Sequence, residues 1–181
     1  EEEKRWSWEF REKHKLSEKD ILVGINTGVG PNWPLKALSI EKTIELIEKL
    51  CRSGLKVALL GGPNERERNK EIIKKLKVKI IDAGTENNLR EFILIINSLD
   101  ILVTSDTLAL HLAVALKKRV VCFFGPTSAE EIELYGQGVK IKPDSECYCC
   151  FEKQRNKEKM SIDEIDIERI IESMLNQTRY L

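Results

Sequence analysis

From Ile21 onward, short apolar runs alternate with longer amphipathic stretches, a pattern that predicts a regular succession of strands and helices. The predicted strands are Ile21 to Asn26, Lys56 to Leu60, Lys79 to Ile81, Ile101 to Thr104, Val120 to Phe124 and Val139 to Ile141. Between them fall helices over Ser39 to Arg52, Asn64 to Leu76, Leu89 to Leu99 and Thr107 to Leu116, with a short one near Ala129 to Tyr135 and a closing one over Ile162 to Leu175. The strand runs are apolar on both faces, as strands buried in a parallel sheet require. The expected fold class is therefore α/β, a doubly wound parallel sheet with right-handed crossovers.

The organising stretch is residues 100 to 127, DILVTSDTLALHLAVALKKRVVCFFGPT. Two consecutive buried strands here finish in polar turns, Ser105-Asp106-Thr107 and Gly125-Pro126-Thr127, on one edge of the sheet. In open α/β sheets that carboxyl edge is where ligands sit. Ser105 or Asp106 can cap the following helix, whose Leu108, Leu112, Ala115 and Leu116 share one side. If Asp106 is functional, an unneutralised carboxylate suits sugar hydroxyls better than phosphate, which Thr107 and nearby N–H groups can bind. His111 lies one helical turn further on.

The other strands deliver candidates to the same edge. After the first comes a long loop, Thr27 to Lys36, in which Gly28 and Gly30 let a phosphate approach the backbone and Lys36 can neutralise it. An ordinary surface loop, with Trp33 tucked into the domain, is the competing reading. After the second comes Gly61-Gly62-Pro63-Asn64-Glu65, where Asn64 can cap a helix and Glu65 can favour its dipole. A ribose-binding role for the Glu65 carboxylate is the functional alternative. No GxGxxG or Walker GxxxxGK[ST] sequence is present.

Thirty basic residues balance thirty acidic ones, so nothing in the net charge points to nucleic acid or an anionic membrane. No apolar run approaches the roughly 20 residues that span a bilayer, and no signal-peptide pattern opens the chain, which makes a reducing cytoplasm the expected compartment. Cys51 and Cys122 fall in apolar patterns and are expected in the core. Cys147, Cys149 and Cys150 form a cluster, but three cysteines in four residues without a second pair match zinc spacing poorly, and no metal is expected. Residues 1 to 20 are highly charged yet carry Trp6, Trp8, Phe10 and Leu16. They predict a linker helix packed on something, reaching from a preceding amino-terminal domain, with residues 21 to 181 as the ligand-binding domain. The aromatic groups would lie near the junction of the two.

The sequence Thr104-Ser105-Asp106-Thr107-Leu108-Ala109-Leu110-His111-Leu112-Ala113-Val114-Ala115-Leu116, followed by Phe124-Gly125-Pro126-Thr127, resembles the D-[TS]-x-x-x-H-x-A-x-A-L … [FY]-G-x-T signature of family-9 glycosyltransferases, the lipopolysaccharide heptosyltransferases. Lys36-Ala37-Leu38-Ser39 is similar to that family's K-x-[WL]-P element, and Gly61 to Glu65 to its glycine turn with a ribose-binding Glu. Leu108 stands where many members have Gly, and Ser39 where most have Pro. The motifs occur in order over residues 21 to about 150.

The resemblance implies a GT-B enzyme of two Rossmann-like domains, with this chain as the carboxyl-terminal, nucleotide-sugar-binding half of an inverting glycosyltransferase. It implies an ADP-sugar donor, in particular ADP-heptose, and a lipopolysaccharide-core, other glycan or lipid-linked acceptor reached through the amino-terminal half. No metal or other cofactor is implied, and peripheral membrane association of the full enzyme is left open. Lys36 and Asp106 are the catalytic candidates. Thr27, Gly28, Lys36, Gly61, Gly62, Glu65, Asp106, Thr107, His111, Gly125, Pro126 and Thr127 are the donor-binding ones. A metal-free departure of the diphosphate would need fixed protein donors, worth about 2.7–4 kcal/mol each at the barrier. The acceptor's general base would lie outside this chain. A GT-B nucleotide-sugar epimerase and a non-catalytic nucleotide-binding module are the alternatives. Further acidic and histidine groups in the donor pocket would favour the first, and binding without transfer the second.

Overall fold

In a computed structural model, which describes residues 2–144, 148–151 and 161–181, six parallel strands form one sheet. They are β1 (Leu22–Asn26), β2 (Lys56–Leu60), β3 (Ile81–Asp82), β4 (Ile101–Ser105), β5 (Arg119–Phe123) and β6 (Gly138–Ile141). Their spatial order is β3-β2-β1-β4-β5-β6, so the chain winds outward in both directions from β1 and β4. The gap above their carboxyl ends is the topological switch point, where the first connections leave for opposite faces.

Among the described residues there are six α-helices: α1 (Glu2–Lys13), α2 (Ile40–Arg52), α3 (Arg66–Lys75), α4 (Leu89–Ser98), α5 (Leu108–Ala115) and α6 (Ile167–Thr178). Side chains alternate across each strand and so build two cores. Val23, Ile25, Val57, Leu59, Ile101, Val103, Val121 and Phe123 face one core with α2, α3 and α6. Leu22, Ala58, Leu60, Leu102, Val120 and Cys122 face the other with α4 and α5. The doubly wound reading of the periodicity holds.

Helix α1 packs along α4, with Trp6, Phe10 and Leu16 joining the second core, whereas Trp8 is exposed. The helix expected to act as a linker is thus seated on this domain. Arg11 fastens it: Nη1 donates to Asp100 Oδ2 at 3.1 Å and Nη2 to the Asp20 carbonyl at 2.6 Å. Asp100 Oδ2 also accepts from the Leu22 N–H at 2.7 Å, so one ion pair ties α1 to the amino ends of β1 and β4.

Several element boundaries depart from expectation. The third strand is Ile81–Asp82 rather than Lys79 to Ile81, because it pairs in register only with Ala58 and Leu59 of β2. No helix forms over Ala129 to Tyr135; Ser128 and Glu130 make local side-chain bonds there that compete with helical ones. The closing segment divides into a 3₁₀ turn, Ser161–Glu164, and α6, which Asp166 caps by accepting from the Glu168 N–H. The predicted helix from Asn64 begins instead as a 3₁₀ turn at Pro63, with Asn64 inside the turn rather than capping it.

The buried face of α5 also differs. Ala109, Leu110 and Ala113 meet the sheet, while Leu108 is 58 % exposed. Alanines let the helix approach the strands closely, which turns Leu108 toward the carboxyl edge. Neither Ser105 nor Asp106 caps it: Ser105 ends β4, Thr107 is the cap residue without a side-chain cap bond, and Asp106 has another partner.

Gly24, at the centre of β1, has no room for a side chain: a Cβ there would stand 2.3 Å from Leu99 Cδ1 and 3.2 Å from Leu60 Cδ1. Both leucines are fully buried, so neither can swing clear. Gly24→Ala should destabilise the domain by about 1–3 kcal/mol through overpacking, read as a lower urea midpoint with an unchanged slope.

Candidate functional site

At the carboxyl end of β1, the Asn26 side chain spans the switch point. Its Nδ2 donates to Thr104 Oγ1 at 3.0 Å and lies 3.3 Å from Thr107 Oγ1, joining β1 to the strand and turn that follow on β4. The same nitrogen bonds the Gly28 carbonyl at 3.0 Å and shapes the start of the glycine loop. An amide ending an otherwise apolar strand was the available sequence signal for this residue.

The glycine loop closes in a 3₁₀ turn, Pro34–Lys36, which brings Lys36 back over β4. Lys36 Nζ donates to Asp106 Oδ2 at 2.7 Å and to the Asp106 carbonyl at 3.0 Å. Its ammonium also lies 5.1 Å from the centre of the Trp33 ring. The two charged side chains retain only 11 % and 16 % exposure, so this is a largely desolvated ion pair. Two candidates separated by 70 residues therefore form one unit. His111 Nε2 is 3.9 Å from Asp106 Oδ1 but 60 % exposed, at the outer rim.

Glu65 is held by its own turn. Its Oε2 accepts from the Gly62 N–H at 3.0 Å, closing the turn after β2. A Cβ at Gly28 would lie 3.3 Å from the same oxygen, so the carboxylate borders the glycine loop. Gly61 is required sterically, since a Cβ there would stand 2.8 Å from Asn69 Nδ2 and 3.2 Å from Thr27 Oγ1. The Thr27 hydroxyl is already committed, donating to Asn69 Oδ1 at 2.6 Å. It ties the turn after β1 to α3.

Beside these groups is a cleft of about 430 Å³. Gly28, Gly61, Gly62 and Thr107 form its polar end, and Leu89, Phe92 and Leu108 line it with apolar surface. Asn87 reaches it as well: its Nδ2 donates to the Ala83 and Gly84 carbonyls at 2.9 and 3.2 Å, which fixes the amide and leaves Oδ1 as the atom able to accept. Asn87, Leu89 and Phe92 escaped the sequence reading because only the tertiary fold brings α4 beside the glycine turns.

Gly125, Pro126 and Thr127 follow β5 but do not line this cleft. The Gly125 carbonyl accepts from the Cys149 N–H at 2.9 Å, and the Pro126 carbonyl from the Phe151 N–H at 2.8 Å. Thr127 Oγ1 is buried without a hydrogen-bond partner among the described residues. Cys149 and Cys150 are half-buried, and Cys147 lies outside the described residues. Among the described residues no three His, Cys, Asp or Glu side chains gather as a metal site. Cys122 is fully buried in the core and Cys51 only partly buried against it; burial pushes both thiols up, most strongly for Cys122. No helix among the described residues is long and apolar enough to cross a membrane.

This edge, with its lysine, paired aspartate and glycine turns, can be set against known proteins. The glycosyltransferase family 9 (heptosyltransferase) model matches residues 7–161. The chain belongs to that family. Lipopolysaccharide heptosyltransferase 2 of Salmonella typhimurium is 28% identical over 123 residues, which are 64% of this chain and 34% of that protein. The Escherichia coli enzyme of the same name is 27% identical over an equal length. The chain thus spans about a third of the length of these curated relatives. Among solved structures, a family 9 glycosyltransferase from Veillonella parvula superposes with a TM-score of 0.82 at 20% identity, covering 100% of this chain and 53% of that one. The ADP-heptose heptosyltransferase II of E. coli gives 0.78 at 20% identity, over 97% and 51%. Another E. coli heptosyltransferase, solved with ADP-2-deoxy-2-fluoro heptose, gives 0.63 at 17% identity, over 91% and 46%. These likenesses bear out the α/β fold, and the family match bears out the resemblance read from the motifs.

The Lys36–Asp106 pair yields a direct expectation. Removing one partner of a desolvated pair strands the other charge, whereas replacing both with apolar groups does not. Asp106→Ala should therefore cost about 3–5 kcal/mol of stability, and Lys36→Met combined with Asp106→Leu clearly less. Denaturant unfolding of the single and double variants measures the difference; equal losses would show that the pair is too hydrated to matter.

Proposed function

We propose that this chain is the donor-binding half of an inverting family 9 glycosyltransferase that takes an ADP-activated sugar, with heptose as the transferred sugar. The observation that carries the reading is the desolvated Lys36 ammonium. It is held by Asp106, just before α5, and lies beside the Asn26 to Val29 turn that follows β1. The first N–H groups of a helix lack an i−4 partner; in α5 the Leu110 and His111 N–H groups already bond the Thr107 carbonyl, which leaves those of Leu108 and Ala109 for a ligand at this end. A diphosphate placed here meets one fixed cation and several amides, while the adjoining apolar cleft accepts a planar base.

The remaining groups take roles from their chemistry. Glu65 can accept from ribose hydroxyls, since one of its oxygens already holds the turn and the carboxylate borders Gly28. Asp106 orients the transferred sugar through its hydroxyls while holding Lys36. As the sugar–phosphate bond breaks, negative charge grows on the departing diphosphate, and Lys36 with the α5 amides stabilises it. Asn87 Oδ1 favours a base carrying an exocyclic amine, as adenine does, and opposes the carbonyl that guanine bears in its place. The acceptor, of lipopolysaccharide-core or related type, is bound by the other half of the enzyme, which also supplies its general base. Support for the sugar and acceptor comes from the heptosyltransferase relatives and from the ADP-heptose analogue bound by a structural neighbour.

The test is an NMR titration of the chain with ADP, GDP and adenosine. ADP should bind more tightly than either, and Lys36→Ala should weaken ADP by about tenfold or more while leaving adenosine unchanged. Equal losses for the two ligands would remove Lys36 from the diphosphate. Asn87→Leu should narrow the preference for ADP over GDP. Absence of nucleotide binding by the unaltered chain would remove the donor-site reading altogether.

A further inference from the structure

Lysine is a flexible group, with its charge at the end of a four-carbon stem. Its aim therefore depends on how firmly the backbone beneath it is held. Immediately after Lys36, the chain is gripped from two sides by charged residues remote in sequence. Arg68, in the first turns of α3, donates through Nη2 to the Leu38 carbonyl. Asp163, in the 3₁₀ turn near the chain's end, accepts from the Ser39 N–H through Oδ1 at 2.8 Å. These partners lie 30 and 124 residues away along the chain.

The grip continues into α2. Ser39 caps that helix by accepting from the Lys42 N–H, and Lys42 Nζ reaches the Ile165 carbonyl at 2.7 Å. Burial disfavours the Arg68 charge, and the Asp163 carboxylate is the first of the nearby acids that offset this.

Arg68 is poorly explained as a stabilising residue alone. Its Nε is buried without a hydrogen-bond partner among the described residues, and burial disfavours its charge. A buried donor left unsatisfied costs stability, because its lost hydration is not replaced. Arg68 also lines a small void of about 10 Å³ together with Lys36, Leu38 and Ser105. A guanidinium kept there at such a cost serves placement.

We propose that Arg68 and Asp163 are positioning residues that clamp the Leu38–Ser39 segment and so aim the Lys36 ammonium at the donor diphosphate. The inference rests on the donor-site reading above. Arg68 acts through Lys36 and touches neither the diphosphate nor the sugar.

Calorimetric titration of the chain with ADP and with adenosine tests this in Arg68→Gln, Arg68→Lys, Asp163→Ala, Lys36→Ala and the Arg68→Gln/Lys36→Ala double variant. Arg68→Gln should weaken ADP about tenfold and leave adenosine unchanged. Arg68→Lys, which can still donate to the Leu38 carbonyl, should recover most of the loss. Asp163→Ala should repeat the Arg68→Gln pattern from the opposite side, and decides the matter if Arg68→Gln does not fold. In the Lys36→Ala background, Arg68→Gln should cost nothing further, because the group it positions is gone.

Full additivity with Lys36→Ala would make Arg68 a direct ligand contact and overturn the proposal, as would equal losses for ADP and adenosine. Failure of the unaltered chain to bind ADP would overturn the donor-site reading and this inference with it. ADP binding that depends on Lys36 but is indifferent to Arg68 and Asp163 would overturn the inference alone.

Discussion

The Lys36–Asp106 ion pair is the constraint around which the carboxyl edge is arranged. An ammonium with little solvent needs a carboxylate nearby, and that carboxylate must come from another strand if the pair is to bridge the switch point. Meeting this condition brings the glycine loop back over β4, places Trp33 against the ammonium and leaves Thr107 to begin α5 without a side-chain cap. The clamp beneath Leu38 and Ser39 belongs to the same arrangement. The edge departs from what stability alone would select, as functional regions do.

Because Lys36 is paired, the edge is nearly neutral rather than strongly cationic. Glu65 and Asp106 offset Lys36 and Arg68, so long-range attraction contributes little to recognising an anion. In the proposed donor role, selectivity would rest on close-range geometry: directed N–H groups, one fixed ammonium and glycines that let a ligand approach. Such a site would discriminate between phosphorylated ligands by shape more than by charge.

Much of the fold was legible because buried parallel strands leave nearly continuous apolar runs, and β1, β2, β4, β5 and β6 were read to within a residue or so at each end. β3 was placed too early because pairing with β2, rather than local composition, sets its limits. The helix expected near Ala129 failed because Ser128 and Glu130 offer the backbone local alternatives. At the site, residues in turns after strands were identifiable by type: Lys36, Asp106, Thr107 and the glycines. Asn87, Leu89, Phe92 and Arg68 were not. Their significance arises from the packing of α3 and α4, and a helical Phe or Arg carries no local sign of what it faces.

Arg11 holds the opposite edge of the sheet. Its guanidinium meets Asp100 and the Asp20 carbonyl, while Asp100 also takes the first amide of β1. The ends of the two central strands thus divide their duties: one end is cross-braced and well satisfied, and the other carries buried charge and crowded glycine turns. A domain built this way can alter its ligand-facing turns without loosening the brace that keeps β1 and β4 side by side. The architecture therefore lends itself to diversification of what it binds while its frame stays the same.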